Sequence, residues 1–238
     1  DLDTRAIDFV LAFPQAKLDV PVYMYVPAGM QLQNIPDGSH HMYILRLEKS
    51  LYGLKQASAN WYDMLKKALK SRGFSESVAD SCVFIRKDMI ILVYVDDCII
   101  ISKETSRIEA FIESLTNGPE NFIFTDEGHL DKYLGVEIQK LDDNSGFSMT
   151  QPFLIQRILQ AAEIDLRMTN LRPTPAVLPL LSKDTNGPDR KHQWKYRTLT
   201  GMLRYLQGTS CPELAMATHQ CARFNTYPKL CHERAIKQ

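Results

Sequence analysis

Met89-Ile90-Ile91-Leu92-Val93-Tyr94-Val95-Asp96-Asp97-Cys98-Ile99-Ile100-Ile101 decides how this chain is read. Two short, apolar, β-branched runs flank Tyr94-Val95-Asp96-Asp97, and runs of that length and composition form buried strands. The spacing therefore predicts a buried hairpin with two adjacent carboxylates at its tip. Asp is a good turn former, so a plain chain reversal explains the pair equally well when it is taken alone. A third carboxylate in a matching setting shifts that balance. Ala6-Ile7-Asp8-Phe9-Val10-Leu11-Ala12-Phe13 is a second β-prone apolar run with one Asp inside it, and a buried Asp needs hydrogen bonds, a cation or a metal.

The composition sets the class. The 238 residues, 45% hydrophobic and 24% charged, suffice for one large globular domain or two small ones. No stretch approaches the roughly 18 uninterrupted apolar residues of a membrane span, and the first residues lack the basic start and apolar block of a signal peptide. The chain opens without Met inside an expected strand and reads as a piece of a longer polyprotein. Cys82, Cys98, Cys211, Cys221 and Cys231 include no Cys-x-x-Cys pair, which suits a reducing compartment. A zinc site from His219, Cys221, Cys231 and His232 has poor spacing, and core and surface thiols account for these residues better. The net charge of zero hides an asymmetry: residues 1–149 carry 15 Lys and Arg against 22 Asp and Glu, whereas residues 150–238 carry 13 against 6. An acidic first part and a basic second part suit a metal-dependent site beside a polyanion-binding surface, although a solvated basic helical face fits the charge as well.

Taken in order, the chain alternates strand and helix signals. Val20 to Pro27 reads as an extended segment whose prolines suit a sheet edge, Gly29 to His41 as a loop, and Met42 to Leu47 as a strand. Lys49 to Gln56 opens a helix with Trp61, Leu65, Ala68 and Leu69 on one face and Gly73 capping its end. Gly53 and Lys55 stand at that helix entrance, where free N–H groups favour a phosphate; a turn glycine and a surface charge are the plainer reading of the same two residues. A strand from Cys82 to Arg86 leads into the central hairpin. A second helix is expected from Ser106, opened by a capping box of Ser106 with Glu109, with Ile108, Phe111, Ile112 and Leu115 on its buried face. Leu130 to Ile138 reads as one strand, joined through Asp143 to Gly146 to Phe147-Ser148-Met149. Pro152 starts a third helix carrying Phe153, Ile155, Ile158, Leu159 and Ala162. Arg172 to Pro188 is a Pro-rich linker, and the rest is helical, with Leu199, Met202, Leu203 and Leu206 on one face and a helix opened by Pro212.

Asp8, Asp96 and Asp97, if folding gathers them, make a site for two magnesium ions. Hard cations take carboxylate oxygens and keep waters, and ions about 3.5–4 Å apart hold the attacking and leaving oxygens of an in-line phosphoryl transfer.

At this point the chain resembles the reverse transcriptase of copia-type retrotransposons. The matching stretches are Ile7 to Phe13, Val22-Tyr23-Met24, Leu45-Arg46-Leu47-Glu48-Lys49-Ser50-Leu51-Tyr52-Gly53-Leu54-Lys55-Gln56-Ala57 with Trp61, Gly73-Phe74, Tyr94 to Asp97, Tyr133-Leu134-Gly135-Val136-Glu137-Ile138 and Gln151. The resemblance implies an α+β right-hand polymerase, with an antiparallel palm sheet, packed helices and partial fingers over residues 1–149. A thumb-like helical segment and linker would follow over 150–185, and a helical connection region over 186–238, short of any RNase H domain. It further implies metal and catalytic roles for Asp8, Asp96 and Asp97, nucleotide-side roles for Phe13, Tyr52, Gly53 and Lys55, and a primer grip at Tyr133, Leu134 and Gly135. Phe13 would be the gate beneath the incoming sugar; an ordinary core aromatic is its plainer alternative. The implied cofactors are two Mg2+ ions, with Mn2+ as a substitute. The implied partners are an RNA or DNA template with primer, dNTPs, and the remaining Pol regions (upstream fingers, RNase H, integrase), in cytoplasmic virus-like particles or the nucleus. The chain departs from the family pattern at Pro14-Gln15-Ala16, Ser58 and Ser210-Cys211-Pro212-Glu213. His129 and Lys132 lie near where a general acid for pyrophosphate would stand, without matching a motif. The rival expectation is an inactive element that at most binds nucleic acid through its basic second part.

Overall fold

β1 (Asp3–Phe9) forms between two partners, β7 (Asp97–Ser102) on one edge and β8 (Phe124–Gly128) on the other. Around it the computed structural model describes residues 2–30, 40–143, 145–164, 167 and 180–237. The chain divides into two compact units, Asp1–Leu130 and Asp131–Gln238. The second unit begins with the hairpins of residues 131–150.

In the first unit, β1 is followed by α1 (Ala12–Gln15), β2 (Lys17–Tyr25), β3 (Ile44–Lys49), α2 (Ala57–Ser71), β4 (Ser75–Glu76), β5 (Val83–Arg86), β6 (Met89–Tyr94), β7, α3 (Thr105–Thr116) and β8. Six strands make one antiparallel sheet in the order β4-β5-β6-β7-β1-β8. Alternation along each strand gives it one apolar face: Ile7, Phe9, Phe84, Ile91, Val93, Cys98 and Ile100 meet Trp61, Leu65, Ala68 and Leu69 of α2 and Ile108, Phe111 and Leu115 of α3 in one core. Full burial of each large side chain stabilises by about 1.5–3 kcal/mol, so the helices are held by these faces. The Phe74 N–H donates to the Leu69 carbonyl and that of Gly73 to Lys70, while Gly73 has φ +84°. This closes α2 with the left-handed cap that its glycine promised.

The α3 expectation needs correction. α3 begins at Thr105 with Glu104 as N-cap and no side-chain cap bond, so Ser106 falls inside the first turn and its hydroxyl is out of position for a box with Glu109. Ser102 takes part of that work, its hydroxyl accepting from the Glu104 N–H at 3.3 Å. Among the described residues β2 and β3 pair only with each other, so Pro21 sits at an edge, beside a register shift between Lys17 and Val22. Residues 31–39 of the expected loop lie outside the described residues.

The second unit holds β9 (Lys132–Tyr133), β10 (Val136–Lys140), β11 (Phe147–Thr150), α4 (Pro152–Ala161), α5 (Tyr196–Thr209), α6 (Ala215–Ala222) and α7 (Leu230–Ile236). The single strand expected over 130–138 is two antiparallel strands, broken by the turn at Leu134 and Gly135. Ile158 and Ala162 pack with Leu199, Met202, Leu203 and Leu206 as their spacing foretold, but Phe153 and Ile155 are exposed. Pro212 opens a 3₁₀ turn that precedes α6. Glu233 of α7 is buried and accepts from Arg190 Nε (3.2 Å) and from the N–H groups of Lys191 (3.2 Å) and His192 (3.1 Å), which pins residues 190–192. Residues 172–179 of the Pro-rich segment lie outside the described residues. The zinc alternative has no support among the described residues: His232 accepts the Lys229 N–H through Nδ1 and meets the Ser182 carbonyl through Nε2, both at 2.9 Å.

Candidate active site

Antiparallel pairing of β1 with β7 sets Asp8 directly opposite Asp97, and opposed residues of such a pair project from the same face of the sheet. It is the face opposite the helices, because Ile7, Phe9, Cys98 and Ile100 occupy the other one. Asp96 lies in the two-residue loop between β6 and β7, where Tyr94 pairs with Asp97, and the Phe9 N–H donates to its carbonyl at 2.9 Å. Val95, the first loop residue, has φ +58° and Asp96 is not left-handed. That φ pattern belongs to a type II′ turn, where glycine usually stands.

All three carboxylates are half-buried. Burial, and then the charges of Asp96, Asp8 and Glu127, hold the Asp97 carboxyl above the usual carboxylate range. Glu127 is a neighbour that the sequence did not single out. It stands where β8 skips a residue against β1, since Ala6 pairs with Gly128 and Ile7 with Asp126, and such a bulge re-aims the unpaired side chain. Among the described residues no three carboxylate, His or Cys side chains are gathered closely enough to hold a metal ion as they stand. The donor set nevertheless suits a hard cation, because it is all oxygen and its mutual repulsion calls for positive charge.

Phe13, on α1, packs its ring against Tyr52 at 4.6 Å. Gln15 fastens the loop beneath it: Nε2 donates to the carbonyls of Val10 (2.8 Å) and Ile123 (2.7 Å), and Oε1 accepts from the Ile123 N–H at 3.0 Å. The Ser50 N–H donates to the Ala16 carbonyl at 2.9 Å, drawing the Ser50 to Gln56 segment to the same place. There Gly53 has φ +95° and Lys55 is exposed just before α2. The first unit thus carries Asp8, Phe13, Tyr52, Gly53, Lys55, Asp96 and Asp97. Tyr133, Leu134 and Gly135 belong to the second unit, at a hairpin whose two loop residues have φ +48° and +79°, and the Tyr205 hydroxyl donates to the Leu134 carbonyl at 3.0 Å. His129 lies 3.4 Å from Asp3, five residues down β1 from Asp8, or about 17 Å at the strand rise.

Residues 3–177 match the family described as reverse transcriptase (RNA-dependent DNA polymerase). The chain belongs to that family. Relatives include the retrovirus-related Pol polyprotein from transposon TNT 1-94 of Nicotiana tabacum, 30% identical over 250 residues, covering 100% of this chain and 18% of the relative. The corresponding polyprotein from transposon RE2 of Arabidopsis thaliana is 29% identical over 245 residues, covering 98% of this chain and 16% of the relative. The chain therefore spans less than a fifth of the polyproteins it matches. Among solved structures, a telomerase from Candida albicans aligns with 99% of this chain and 40% of its own at a TM-score of 0.35 and 9% identity, a likeness too slight to argue from. The copia-type resemblance is borne out, and membership of the reverse transcriptase family makes the antiparallel sheet and packed helices of the first unit palm-like.

Proposed function

We propose that this reverse transcriptase chain carries the nucleotidyl-transfer site of an RNA-directed DNA polymerase, with Asp8, Asp96 and Asp97 as its metal-holding carboxylates. The observation that carries this reading is the register of β1 and β7, which opposes Asp8 to Asp97 and leaves Asp96 in the adjoining turn. Two Mg2+ ions bound there, or Mn2+ in their place, would lower the pKa of a primer 3′-hydroxyl and neutralise the charge of the triphosphate and departing pyrophosphate. The carboxylates fix where that charge compensation acts, and their half-buried setting strengthens it. Phe13, backed by Tyr52, forms the floor beneath the incoming sugar, where a 2′-hydroxyl would collide with its ring. Gly53 and Lys55 line the nucleotide and template side, and Lys55 supplies a positive charge for phosphate. Tyr133, Leu134 and Gly135 are the primer grip.

In this reading residues 1–149 are palm with part of the fingers around 20–60, residues 150–185 a thumb-like segment and residues 186–238 a connection region, working within a longer Pol polyprotein. The substrates are dNTPs and a primer annealed to an RNA or DNA template. Primer extension on an RNA template with Mg2+ tests it, using this chain, its Asp96→Asn variant, and both joined to an upstream fingers segment from a related element. Extension that disappears with Asp96→Asn is the expected result. Template binding without extension from any version would leave a nucleic-acid-binding remnant and overturn the catalytic assignment.

A further inference from the structure

Val95 occupies a backbone conformation that its side chain resists. At φ +58° the Cβ of an L-residue crowds its own backbone, and a β-branched side chain makes the crowding worse. Such a residue persists only where its surroundings over-determine it. Two contacts do so here, one to each carbonyl of the loop. The Phe9 N–H donates to the Asp96 carbonyl at 2.9 Å, and the Trp61 indole N–H donates to the Val95 carbonyl at 2.6 Å. The two donors are themselves locked together. Trp61 is 2% exposed, its ring meets Phe9 edge-on at 5.0 Å and Phe122 at 5.9 Å, and its backbone belongs to α2, fixed in the core by Leu65, Ala68 and Leu69.

We propose that Trp61 is a positioning residue for the catalytic turn, its indole N–H holding Val95 left-handed and so setting where Asp96 and Asp97 stand relative to Asp8. The proposal rests on the polymerase reading only for its consequence in catalysis; the physical claim concerns the turn itself. A buried indole N–H requires an acceptor, and the Val95 carbonyl is the one it meets. If Trp61 only filled space, any ring of similar bulk would serve and the conformation of residue 95 would not depend on it. If its N–H restrains a strained residue, removing the donor loosens the turn, and removing the strain makes the donor dispensable. Glycine at position 95 removes the strain, because it adopts positive φ freely.

The test compares the chain with Trp61→Phe, Val95→Gly and the double variant. Phenylalanine keeps an aromatic ring between Phe9 and Phe122 while deleting the donor. Amide hydrogen exchange at Tyr94 and Asp97 reads the turn directly, and binding of Mn2+ alone reads the carboxylates. Trp61→Phe is expected to speed exchange at both amides about tenfold and to weaken Mn2+ binding about fivefold. The double variant returns both to within about twofold of Val95→Gly, although the melting temperature stays low because the smaller ring is not repaired. Should Trp61→Phe fail to fold, exchange of the indole N–H in the unaltered chain carries the test: the hydrogen bond to the Val95 carbonyl is expected to protect it as strongly as the Tyr94 and Asp97 amides, and an unprotected indole N–H overturns the proposal. So does exchange at Tyr94 and Asp97 that Trp61→Phe leaves unchanged, or a loss that Val95→Gly does not relieve. Primer extension separates the two claims. A parent chain without extension, but with the exchange pattern above, retains the positioning role and loses the polymerase reading. An active parent whose Trp61→Phe variant keeps its incorporation rate and exchange pattern has the reverse outcome.

Discussion

Replacing Asp97 by Asn should make the metal-free protein more stable. Asp97 faces Asp8 directly across the β1/β7 ladder, has Asp96 as its chain neighbour, and feels Glu127 as well. A like-charged pair directly opposite in a sheet costs roughly 0.2–1 kcal/mol; the partial burial of Asp97 adds to that, so about 1 kcal/mol is expected from the substitution. The pH dependence fixes the sign. The folded-state pKa of Asp97 is raised above the ordinary carboxylate value of 3.8, so the native state holds the proton longer than the unfolded chain does. Its unfavourable contribution is absent below the ordinary carboxylate pKa, grows as pH rises through the interval up to the raised value, and is complete above it. Asn has no such interval. Denaturant unfolding from pH 4 to pH 7 should give a stability gain near pH 7 that fades toward pH 4, and thermal unfolding at pH 7 should give a midpoint about 2–4 °C higher for each kcal/mol. Mn2+ should stabilise the parent chain and lose most of that effect in Asp97→Asn, because a ligand that binds only the native state stabilises it in proportion to its affinity. An Asp97→Asn variant that is less stable at pH 7, or equally shifted at both ends of the pH range, would refute the reasoning.

Other outcomes follow from the same geometry. Gly73→Ala should cost about 1 kcal/mol by thermal unfolding, because Gly73 has φ +84° and the nearest atom a Cβ would meet is Arg86 Cδ at 3.7 Å, so the cost is conformational rather than steric. Glu233→Ala should destabilise the second unit by about 3 kcal/mol, since it leaves the Arg190 guanidinium short of its carboxylate; Trp194, which Arg190 covers at 4.4 Å, reports the unfolding by fluorescence. Tyr205→Phe removes the hydroxyl that holds the Leu134 carbonyl and should cost about 1 kcal/mol, seen as faster hydrogen exchange at Tyr133 and Val136.

Much of this was legible in the sequence because burial imposes periodicity. The β6–β7 hairpin, the apolar faces of α2 and α3, the Gly73 cap and the start of α4 at Pro152 all follow from local pattern, and those patterns agree with the fold. What escaped depends on partners distant in sequence. The bulge that brings Glu127 toward Asp97 is set by how β8 lies against β1, and nothing in Asp126-Glu127-Gly128 announces it. Ser106 and Glu109 carry the letters of a capping box, but Thr105 begins the helix one residue earlier, with its hydroxyl donating to the Asp3 carboxylate. Leu134 gives no sign of a left-handed turn, because that preference belongs to glycine and asparagine; only Gly135 beside it hinted at the break. Trp61 reads as a core residue from its helical spacing, and its spacing holds no information about the carbonyl its indole meets.

The central claim is that Asp8 and Asp97 serve one site. Single-turnover incorporation of one dNTP, measured for Asp8→Asn, Asp97→Asn and the double variant in the chain joined to upstream fingers, tests it most directly. Residues that act as a unit lose nearly as much singly as together, so each single variant should fall by about 10³-fold or more and the double should fall little further. Losses that multiply, or a single variant that keeps the parent rate, would contradict the account.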